Sequence, residues 1–441
     1  MAEHVNLWWE VIKMVFQAFP FTFVHFLFWL VLILVYTQYK RSIRMEQQLF
    51  GRAKNNPKKL TLISLGCGIL AGLLASFLLV FLGISIVDVG ILYVWPLLIF
   101  LLLFHPRYLC FAYAGGIVSL FSLLLNALAE YQPAILEIGI LEGIAGISVP
   151  GLMAIVGILH FTESILIYLS GHIGPSPIYL KHRNNGVVGG FSLQKFWPLP
   201  LVGLWAMGVP EGTAETEAML SMPDWWPIVG GAPEPAEGEQ LVYTMFPLVA
   251  GLGYGDMSIA SNPKEKSKRS ALFLFIYSVV LIAASVGSAF FSPLMWLAAL
   301  IAPIGHEALI VLGNAMEFSR NPIYSQEGRG LKILDIMPDS LAEQMGLASG
   351  DVILHVNNVS INSKEDLTTN IYQVQPYIRL NVETSKGEAK MLRAPLYEGH
   401  ANLGIIPVPE PYDTTTSYVT FSSQNPIEKI VKKVKNLLWR P

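Results

Sequence analysis

Two pairs of ionisable side chains lie inside strongly apolar segments of this sequence. His160 and Glu163 are three residues apart, so on a helix they share one face. His306 and Glu307 are adjacent in a later apolar segment. Imidazole and carboxylate groups transfer protons and bind metal ions, and ionisable residues inside a membrane span are functional candidates by default. These four residues define a candidate intramembrane polar site.

The pair His306-Glu307 matches the start of the zinc motif His-Glu-x-x-His of metalloproteases. Ile310 occupies the position of the second histidine, and zinc catalysis requires about three protein ligands around one metal. No Leu-Asp-Gly or Asn-Pro-Asp-Gly segment supplies a further ligand. His160 would supply one only if the helices placed it beside His306. We therefore expect polar contacts between helices, with no metal, no cofactor and no catalytic residue.

The two cysteines, Cys67 and Cys110, also lie within apolar runs. A thiol in such a run usually packs as a small buried apolar group. We therefore expect neither a disulfide nor a metal site from these residues.

The composition indicates a membrane protein with a soluble end. Of the 441 residues, 53% are hydrophobic and 14% are charged, whereas soluble chains contain about 25% charged residues. The deficit lies in the long apolar runs between Phe21 and Leu312, and the last third has an ordinary soluble composition. The net charge of −3 gives no indication of nucleic-acid binding.

The apolar runs predict an α-helical polytopic membrane domain over residues 21–315. A helix needs about 20 apolar residues to cross a hydrocarbon core of about 30 Å. Two candidates contain proline and are short, so the count of nine holds to within one or two. The candidate spans are Phe21–Tyr39, Leu62–Ile86, Val89–Phe104, Tyr108–Ala129, Ile144–Leu169, Phe196–Val209, Leu241–Ala260, Ala271–Phe291 and Leu294–Leu312.

The connecting segments predict an orientation, because cytoplasmic loops carry an excess of Lys and Arg. Residues 40–59 contain seven basic residues, which places the N-terminus outside. The segments Ser170–Lys195 and Ser261–Ser270 are also basic, whereas Pro210–Gln240 contains no Lys or Arg. With nine spans the C-terminal region is cytoplasmic.

Two packing features accompany the spans. Asn6–Ala18 mixes tryptophan and aliphatic residues with charged ones, so residues 1–20 are expected to form an interfacial helix. Gly66, Gly68 and Gly72 in the second span permit close approach of a neighbouring helix.

The region Gly328–Pro395 changes character and alternates short strands with two helices. Each helix begins with a capping-box signature, formed by Ser340 with Glu343 and by Ser363 with Asp366. The predicted elements are strand Leu331–Ile336, helix Leu341–Met345, strand Val352–Asn357, a helix from Ser363 to about Gln373, and strands Tyr377–Thr384 and Ala389–Ala394.

This order of elements resembles a bacterial PDZ domain, which predicts an α+β domain over residues 328–408. The resemblance implies that a peptide adds as an extra strand at the sheet edge, beside the second helix. Leu331–Ile336 is the expected edge strand and Ser363–Gln373 the helix. The matching stretches are Gly330-Leu331-Lys332-Ile333, Met337-Pro338-Asp339-Ser340-Leu341-Ala342, Gly346-Leu347 and Gly350-Asp351-Val352-Ile353-Leu354, followed by Asn357. The expected peptide-binding residues are Gly328, Arg329, Gly330, Leu331, Lys332, Ile333, Leu367 and Ile371.

One departure from the family pattern concerns the carboxylate-binding loop. The segment before the first strand, Gln326–Gly330, is a weak version of that loop, whereas Leu403-Gly404-Ile405-Ile406 after the domain is a better one. A circularly permuted PDZ domain accounts for both facts. It requires Leu403–Val408 to pair with the sheet.

The C-terminal tail has two parts. Residues 409–425 form a linker rich in Thr and Ser, and residues 426–441 have the pattern of a basic amphipathic helix. Such a helix suits an anionic membrane surface, at about 1 kcal/mol per basic residue. A partner-binding helix is the alternative.

The whole chain resembles a family of Gram-positive polytopic PDZ proteins that act as topological adaptors of cell division. The resemblance includes the basic first loop and the single PDZ region. It also includes the segments Leu159-His160-Phe161-Thr162-Glu163, Ser170-Gly171-His172, Val188-Gly189-Gly190-Phe191 and Trp197-Pro198-Leu199-Pro200.

The resemblance implies a scaffold in a bacterial cell membrane, not an enzyme. It would recruit a protein or peptide partner through a cytoplasmic PDZ groove, in division-site selection or cell-envelope organisation. The expected partners are membrane lipids and a protein or peptide, with no nucleic acid, and a homo-oligomer is compatible with this arrangement. Two alternatives are a site-2-protease-like intramembrane metalloprotease, or its inactive relative, and a transporter with a regulatory PDZ domain.

Overall fold

The computed structural model describes residues 2–182, 186–210, 220, 222–223, 225–229, 237–326, 328–371, 376–396 and 403–410. A helical region containing a three-stranded sheet comes first, and a six-stranded sheet follows. The helices of the first region are α1 (Ala2–Ala18), α2 (Phe26–Phe50), α3 (Pro57–Leu82), α4 (Ile91–Phe104), α5 (Phe111–Ala129), α6 (Gly139–Ala145), α7 (Val149–Ser170), α8 (Pro263–Gly287) and α9 (Pro293–Phe318). Its strands are β1 (Ser176–His182), β2 (Gly186–Pro210) and β3 (Glu239–Ser258).

The C-terminal domain has the sheet order β8-β7-β5-β4-β9, with β6 paired to β5. Its elements are β4 (Leu331–Ile336), α10 (Leu341–Gln344), β5 (Val352–Val356), β6 (Val359–Ser360), α11 (Lys364–Ile371), β7 (Tyr377–Glu383), β8 (Ala389–Pro395) and β9 (Ile405–Pro407).

Several helices have the length and apolarity of membrane spans. Within the described residues these are α3, α5, α7, α8 and α9. Helix α2 and the preceding Leu7–Phe23 qualify together but meet at 64°. Helix α4 is apolar but has only 14 residues. The prediction of a helical region with several apolar helices is therefore confirmed, whereas the count of nine helical spans is not.

Two of the predicted helical spans, Phe196–Val209 and Leu241–Ala260, are wrong, because these segments form the antiparallel strands β2 and β3. Proline in a helix interior removes a hydrogen bond and collides with the preceding turn. Pro198 and Pro200 therefore disfavour a helix in the first segment. The first segment is apolar without a break because much of β2 is buried against neighbouring helices, and not because it is a helical span.

Strand β2 runs alongside α3, and the two elements match in spacing. Small residues every four positions on α3 face every second residue of β2. Four helical residues rise about 6.0 Å and two strand residues about 6.6 Å, so the match persists over several steps. The facing pairs are Gly68 with Pro198, Gly72 with Pro200, and Ser76 with Val202, and the Tyr39 hydroxyl bridges the preceding pair, Ser64 and Phe196.

The glycines of α3 allow two backbones to touch. A Cβ atom on Gly68 would overlap the carbonyl oxygen of Pro198, and one on Gly72 would overlap that of Pro200. The small residues of this span thus admit a strand, and the predicted helix partner is wrong. Gly66, the third glycine, faces open space.

The edge of β2 that faces α3 has few unsatisfied donors. This matters because backbone groups at membrane depth find no water. Pro198 and Pro200 have no N–H group on this edge. Three further N–H groups donate to hydroxyls: Phe196 to Tyr39 at 3.2 Å, Val202 to Ser76 at 2.8 Å and Ala206 to Ser85 at 3.4 Å.

The prediction that Leu331–Ile336 forms the sheet edge is wrong. Strand β4 lies between β5 and β9, and Ile405–Pro407 pairs antiparallel with Ile333–Ile336. Sequence patterns within β4 do not reveal a partner strand about 70 residues away, because period-2 alternation reports burial and not pairing. The pairing of Leu403–Val408 that a permuted PDZ domain requires is present.

Both predicted capping boxes are present in the C-terminal domain. The Ser340 hydroxyl accepts from the Glu343 N–H at 3.3 Å, and the Ser363 hydroxyl accepts from the Asp366 N–H at 3.0 Å. The Asp366 carboxylate accepts in turn from the N–H of Asn362 and of Ser363, and these bonds lower its pKa.

The two ends of the chain differ in what the structure describes. Helix α1 covers most of the predicted N-terminal helix, and Val11 and Val15 pack with Val80 and Val202. Its interfacial position stays a prediction. Residues 411–441, which include most of the predicted linker and the whole amphipathic helix 426–441, lie outside the described residues.

We predict that Gly68→Leu and Gly72→Leu each destabilise the membrane domain by at least about 1–3 kcal/mol, because the new side chain must displace the β2 backbone. Gly66→Leu on the same helix is the matched control and should be nearly neutral. Thermal unfolding of the three purified variants in detergent measures the difference. Equal melting temperatures for all three would contradict the close packing of α3 on β2.

Candidate functional site

Strand β9 presents the outer edge of the C-terminal sheet. The Gly404 carbonyl accepts from the Met337 N–H at 2.7 Å, and the Val408 N–H donates to the Lys332 carbonyl at 2.8 Å. Bonding direction alternates from residue to residue in an antiparallel ladder. The peptide groups of Ile405 therefore point away from β4.

Helix α11 and strand β9 share one apolar cluster. Leu367 and Ile371 of α11 are buried in it, together with Leu403, and Ile405 is partly buried against it. An outer strand next to a helix, with a shared apolar floor, is the arrangement that peptide addition to a sheet requires.

The predicted peptide-binding residues occupy different environments. Leu331 is 2% exposed and Ile333 is fully buried, so both belong to the core. Gly328 and Gly330 have positive φ and form the bend before β4, in which Arg329 is exposed. The carbonyl of Lys332 bonds to β9, and Leu367 and Ile371 line the shared cluster. Peptide binding by any of these residues stays a prediction. The sequence signal for β9 was Leu403–Ile406, outside the predicted set.

The C-terminal domain packs against the sheet of the membrane region. The contact is an apolar cluster. Gly189 of β2 lets Leu334 of β4 approach closely, since a Cβ atom on Gly189 would lie 2.9 Å from the Leu334 side chain. The Gly189 N–H also donates to the Tyr324 carbonyl at 2.9 Å. The buried members of this docking cluster are Tyr179, Val187, Phe191, Tyr324, Leu334, Ile406 and Val408.

Polar contacts reinforce this docking. Lys54, in the loop after α2, forms an ion pair with Asp335 of β4. Burial raises the pKa of the Asp335 carboxyl, and the positive charge of Lys54 opposes that rise. The Tyr179 hydroxyl donates to the Pro407 carbonyl of β9 at 2.8 Å. The membrane region therefore touches the same strand that borders the groove.

Three helices of the membrane region bring Cys110, His160 and His306 together. Cys110 precedes α5, His160 lies in α7, and His306 lies in α9. The Cys110 Sγ atom is 3.3 Å from His160 Nε2 and 3.8 Å from His306 Nε2. One ligand atom from each residue lies within 4.8 Å of the other two. The sequence did not identify Cys110, because its partners are distant in the chain and no spacing pattern links them.

Both imidazole rings are held in place. The His160 Nδ1 atom lies 2.7 Å from the Val156 carbonyl, which fixes a proton on Nδ1 and leaves Nε2 as an acceptor. The edge of Tyr277 packs on His160, and that of Tyr113 packs on His306. The two imidazole rings are 5.1 Å apart.

The two glutamates of the predicted polar site do not join this cluster. Glu307 forms an ion pair with Arg107 and accepts from the Tyr113 hydroxyl at 2.7 Å. Glu163 is partly buried on α7, one turn after His160. The structure therefore brings together His160 and His306 of the four predicted residues. The guanidinium of Arg107 balances the negative charge of Glu307. A catalytic base must instead be placed to accept a proton from water or substrate.

Comparison with known proteins agrees with this domain organisation. A PDZ domain model matches residues 332–386. Over 385 residues the chain is 25% identical to the cell division topological determinant MinJ of Bacillus subtilis (strain 168), covering 87% of this chain and 92% of that protein. Over 83 residues it is 30% identical to the probable cell division topological determinants MinJ of Lacticaseibacillus paracasei and Lacticaseibacillus casei (strain BD-II), covering 19% of this chain and 23% of each relative.

The chain is thus a PDZ-domain membrane protein that resembles MinJ along most of both sequences. The resemblance expected from the residues is confirmed. The 385 aligned residues extend well beyond the PDZ match at 332–386, so they include most of the helical region as well.

We predict that Gly189→Val weakens the docking of the C-terminal domain by about 1–3 kcal/mol, because the side chain would collide with Leu334 and Tyr324. A short bismaleimide joining Lys54→Cys to Asp335→Cys reports docking, since these two positions form the ion pair. The control is Gly255→Val, on strand β3 of the same sheet, where a Cβ meets open space. If the cross-linking yield falls equally in both variants, the docking contact is not the one described.

Proposed function

We propose that this protein is a membrane-embedded adaptor of cell division that recruits protein partners through the groove between β9 and α11. The observation that carries the proposal is the outer position of β9, whose Ile405 directs its peptide groups away from the sheet beside a PDZ helix. Such an edge binds an extended segment through main-chain hydrogen bonds, and neighbouring apolar pockets select its side chains.

The relatives support the division role. The Bacillus subtilis relative is named a cell division topological determinant, and it aligns with 87% of this chain. A protein that determines where division occurs must hold other proteins at a place on the membrane. A multi-pass anchor combined with a peptide-binding domain meets that requirement.

The charge pattern supports a cytoplasmic groove. The basic segments 40–59 and 261–270 lie on the side predicted to be cytoplasmic. The β2–β3 hairpin takes the place of two predicted helical spans. Because its two strands are antiparallel, the chain enters and leaves it on the same side, so the predicted orientation of the C-terminal region is unchanged. The C-terminal domain packs on β1 and the first part of β2, next to the basic loop that contains Lys54.

The docking contact also suggests what the groove reads. The Pro407 carbonyl, the next outward-facing group on β9, already accepts from Tyr179 of the membrane region. A partner strand would therefore pair mainly at Ile405 and place an apolar side chain on the cluster of Leu367 and Ile371. We infer that the groove selects a short apolar segment and not a long extended one.

The composition of the basic tail supports membrane attachment. Residues 426–441 combine an apolar stripe with several lysines, which favours an anionic lipid surface. In this arrangement the lipids and the protein partner are bound by different parts of the same cytoplasmic region.

We predict that a photoreactive amino acid at Ile405 captures division proteins in growing cells, whereas one at Met391 does not. Met391 is 69% exposed on β8, the opposite outer strand of the same sheet, and is the matched control. The adducts are identified by mass spectrometry of the full-length protein after irradiation. Their yield should fall when a peptide copying the captured segment is added to membranes.

Two outcomes of this cross-linking would count against the proposal. The same proteins captured from both positions would show that the adducts reflect proximity and not the groove. If the adducts from position 405 contain no cell-division protein, the groove is still a binding site, but the proposed role in cell division is contradicted.

A further inference from the structure

We propose that Cys110, His160 and His306 bind one Zn²⁺ ion where α5, α7 and α9 meet. The inference is independent of the adaptor role, because the cluster lies in the membrane region and away from the PDZ groove. Each ligand comes from a different helical segment, so the ion would join three spans that are distant in sequence.

The ligand atoms have the separations that a metal ion requires. With Zn–S near 2.3 Å and Zn–N near 2.0–2.1 Å, a tetrahedral site places sulfur and nitrogen roughly 3.5 Å apart. The two Cys110 Sγ distances to imidazole Nε2 atoms, 3.3 and 3.8 Å, bracket that value. Small rotations of the side chains bring both distances to it, without movement of the helices.

The rings present the right atoms. Because the Nδ1 proton of His160 is held by the Val156 carbonyl, its unprotonated Nε2 faces Cys110. Metal-bound histidines usually make this kind of outer hydrogen bond, which fixes the tautomer and the ring orientation. For His306, Nε2 also faces the thiol, and no partner for its buried Nδ1 occurs among the described residues.

The burial of the three residues and their ligand atoms, one sulfur and two nitrogens, favour Zn²⁺ over other cations. His160 is 3% exposed, whereas Cys110 and His306 are partly exposed, so the cluster is not fully enclosed by the helices. One sulfur and two imidazole nitrogens suit a borderline-soft cation and do not suit Mg²⁺ or Ca²⁺, which prefer oxygen. A thiolate and two neutral histidines hold Zn²⁺ with a residual charge of about +1.

Purification of the full-length protein in detergent through a tag without histidine allows the metal content to be measured by elemental mass spectrometry. We expect about one zinc per chain in wild type. Cys110→Ala, His160→Ala and His306→Ala should each reduce zinc occupancy about tenfold or more under dilute chelator. Cys67→Ala and His172→Ala remove a thiol and an imidazole elsewhere in the membrane region, and they should retain wild-type zinc.

Cobalt exchange provides a second measurement on the wild-type protein itself. Co²⁺ in a site with one thiolate should produce a sulfur-to-cobalt charge-transfer band together with tetrahedral ligand-field bands. Cys110→Ser, a change of one atom, should abolish the charge-transfer band even where an alanine variant fails to fold.

The proposal is overturned if wild type contains only background metal and gives no thiolate–cobalt band. It is also overturned if the control variants lose zinc as fully as the cluster variants do. Stoichiometric copper instead of zinc, with the same dependence on the three residues, would overturn the assignment of the ion.

Discussion

The close approach of α3 and β2 is the contact on which the rest of the structure depends. A strand beside a membrane helix leaves one row of peptide groups without a partner strand, and unsatisfied groups are costly at membrane depth. Here prolines remove two donors, hydroxyls of α2, α3 and the segment after α3 accept others, and glycines let carbonyl oxygens reach the helix backbone. Because four helical residues and two strand residues have nearly the same rise, the same close contact recurs at successive positions along α3 and β2.

The contact between α3 and β2 also determines where the C-terminal domain packs. With β2 held against α3, β1 and the first part of β2 present Tyr179 and Phe191, and the C-terminal domain packs there through Leu334 and Ile406. Strand β9 then has two roles. Its Ile406 belongs to the docking cluster, whereas Ile405 borders the groove. A partner bound at β9 would therefore lie directly beside the membrane region.

The sequence predicted what depends on short-range chemistry. Capping pairs such as Ser340 with Glu343, and turn glycines such as Gly350, identified the PDZ elements because the residues concerned are neighbours in the chain. Apolarity over Phe196–Val209 did not distinguish a helix from a strand, because a strand buried on both faces is also apolar throughout. The outer position of β9 and the meeting of Cys110 with two histidines depend on long-range pairing, which no local pattern reports.

The most direct test of the account compares two shortened chains that both retain the complete membrane region. One ends after Glu410 and keeps β9, and the other ends after Leu396 and lacks it. Recovery of the partner captured at position 405 is measured from membranes with equal amounts of each chain. We expect wild-type recovery with the first chain and loss with the second. Recovery by the chain that ends after Leu396, or loss by the chain that ends after Glu410, would contradict it.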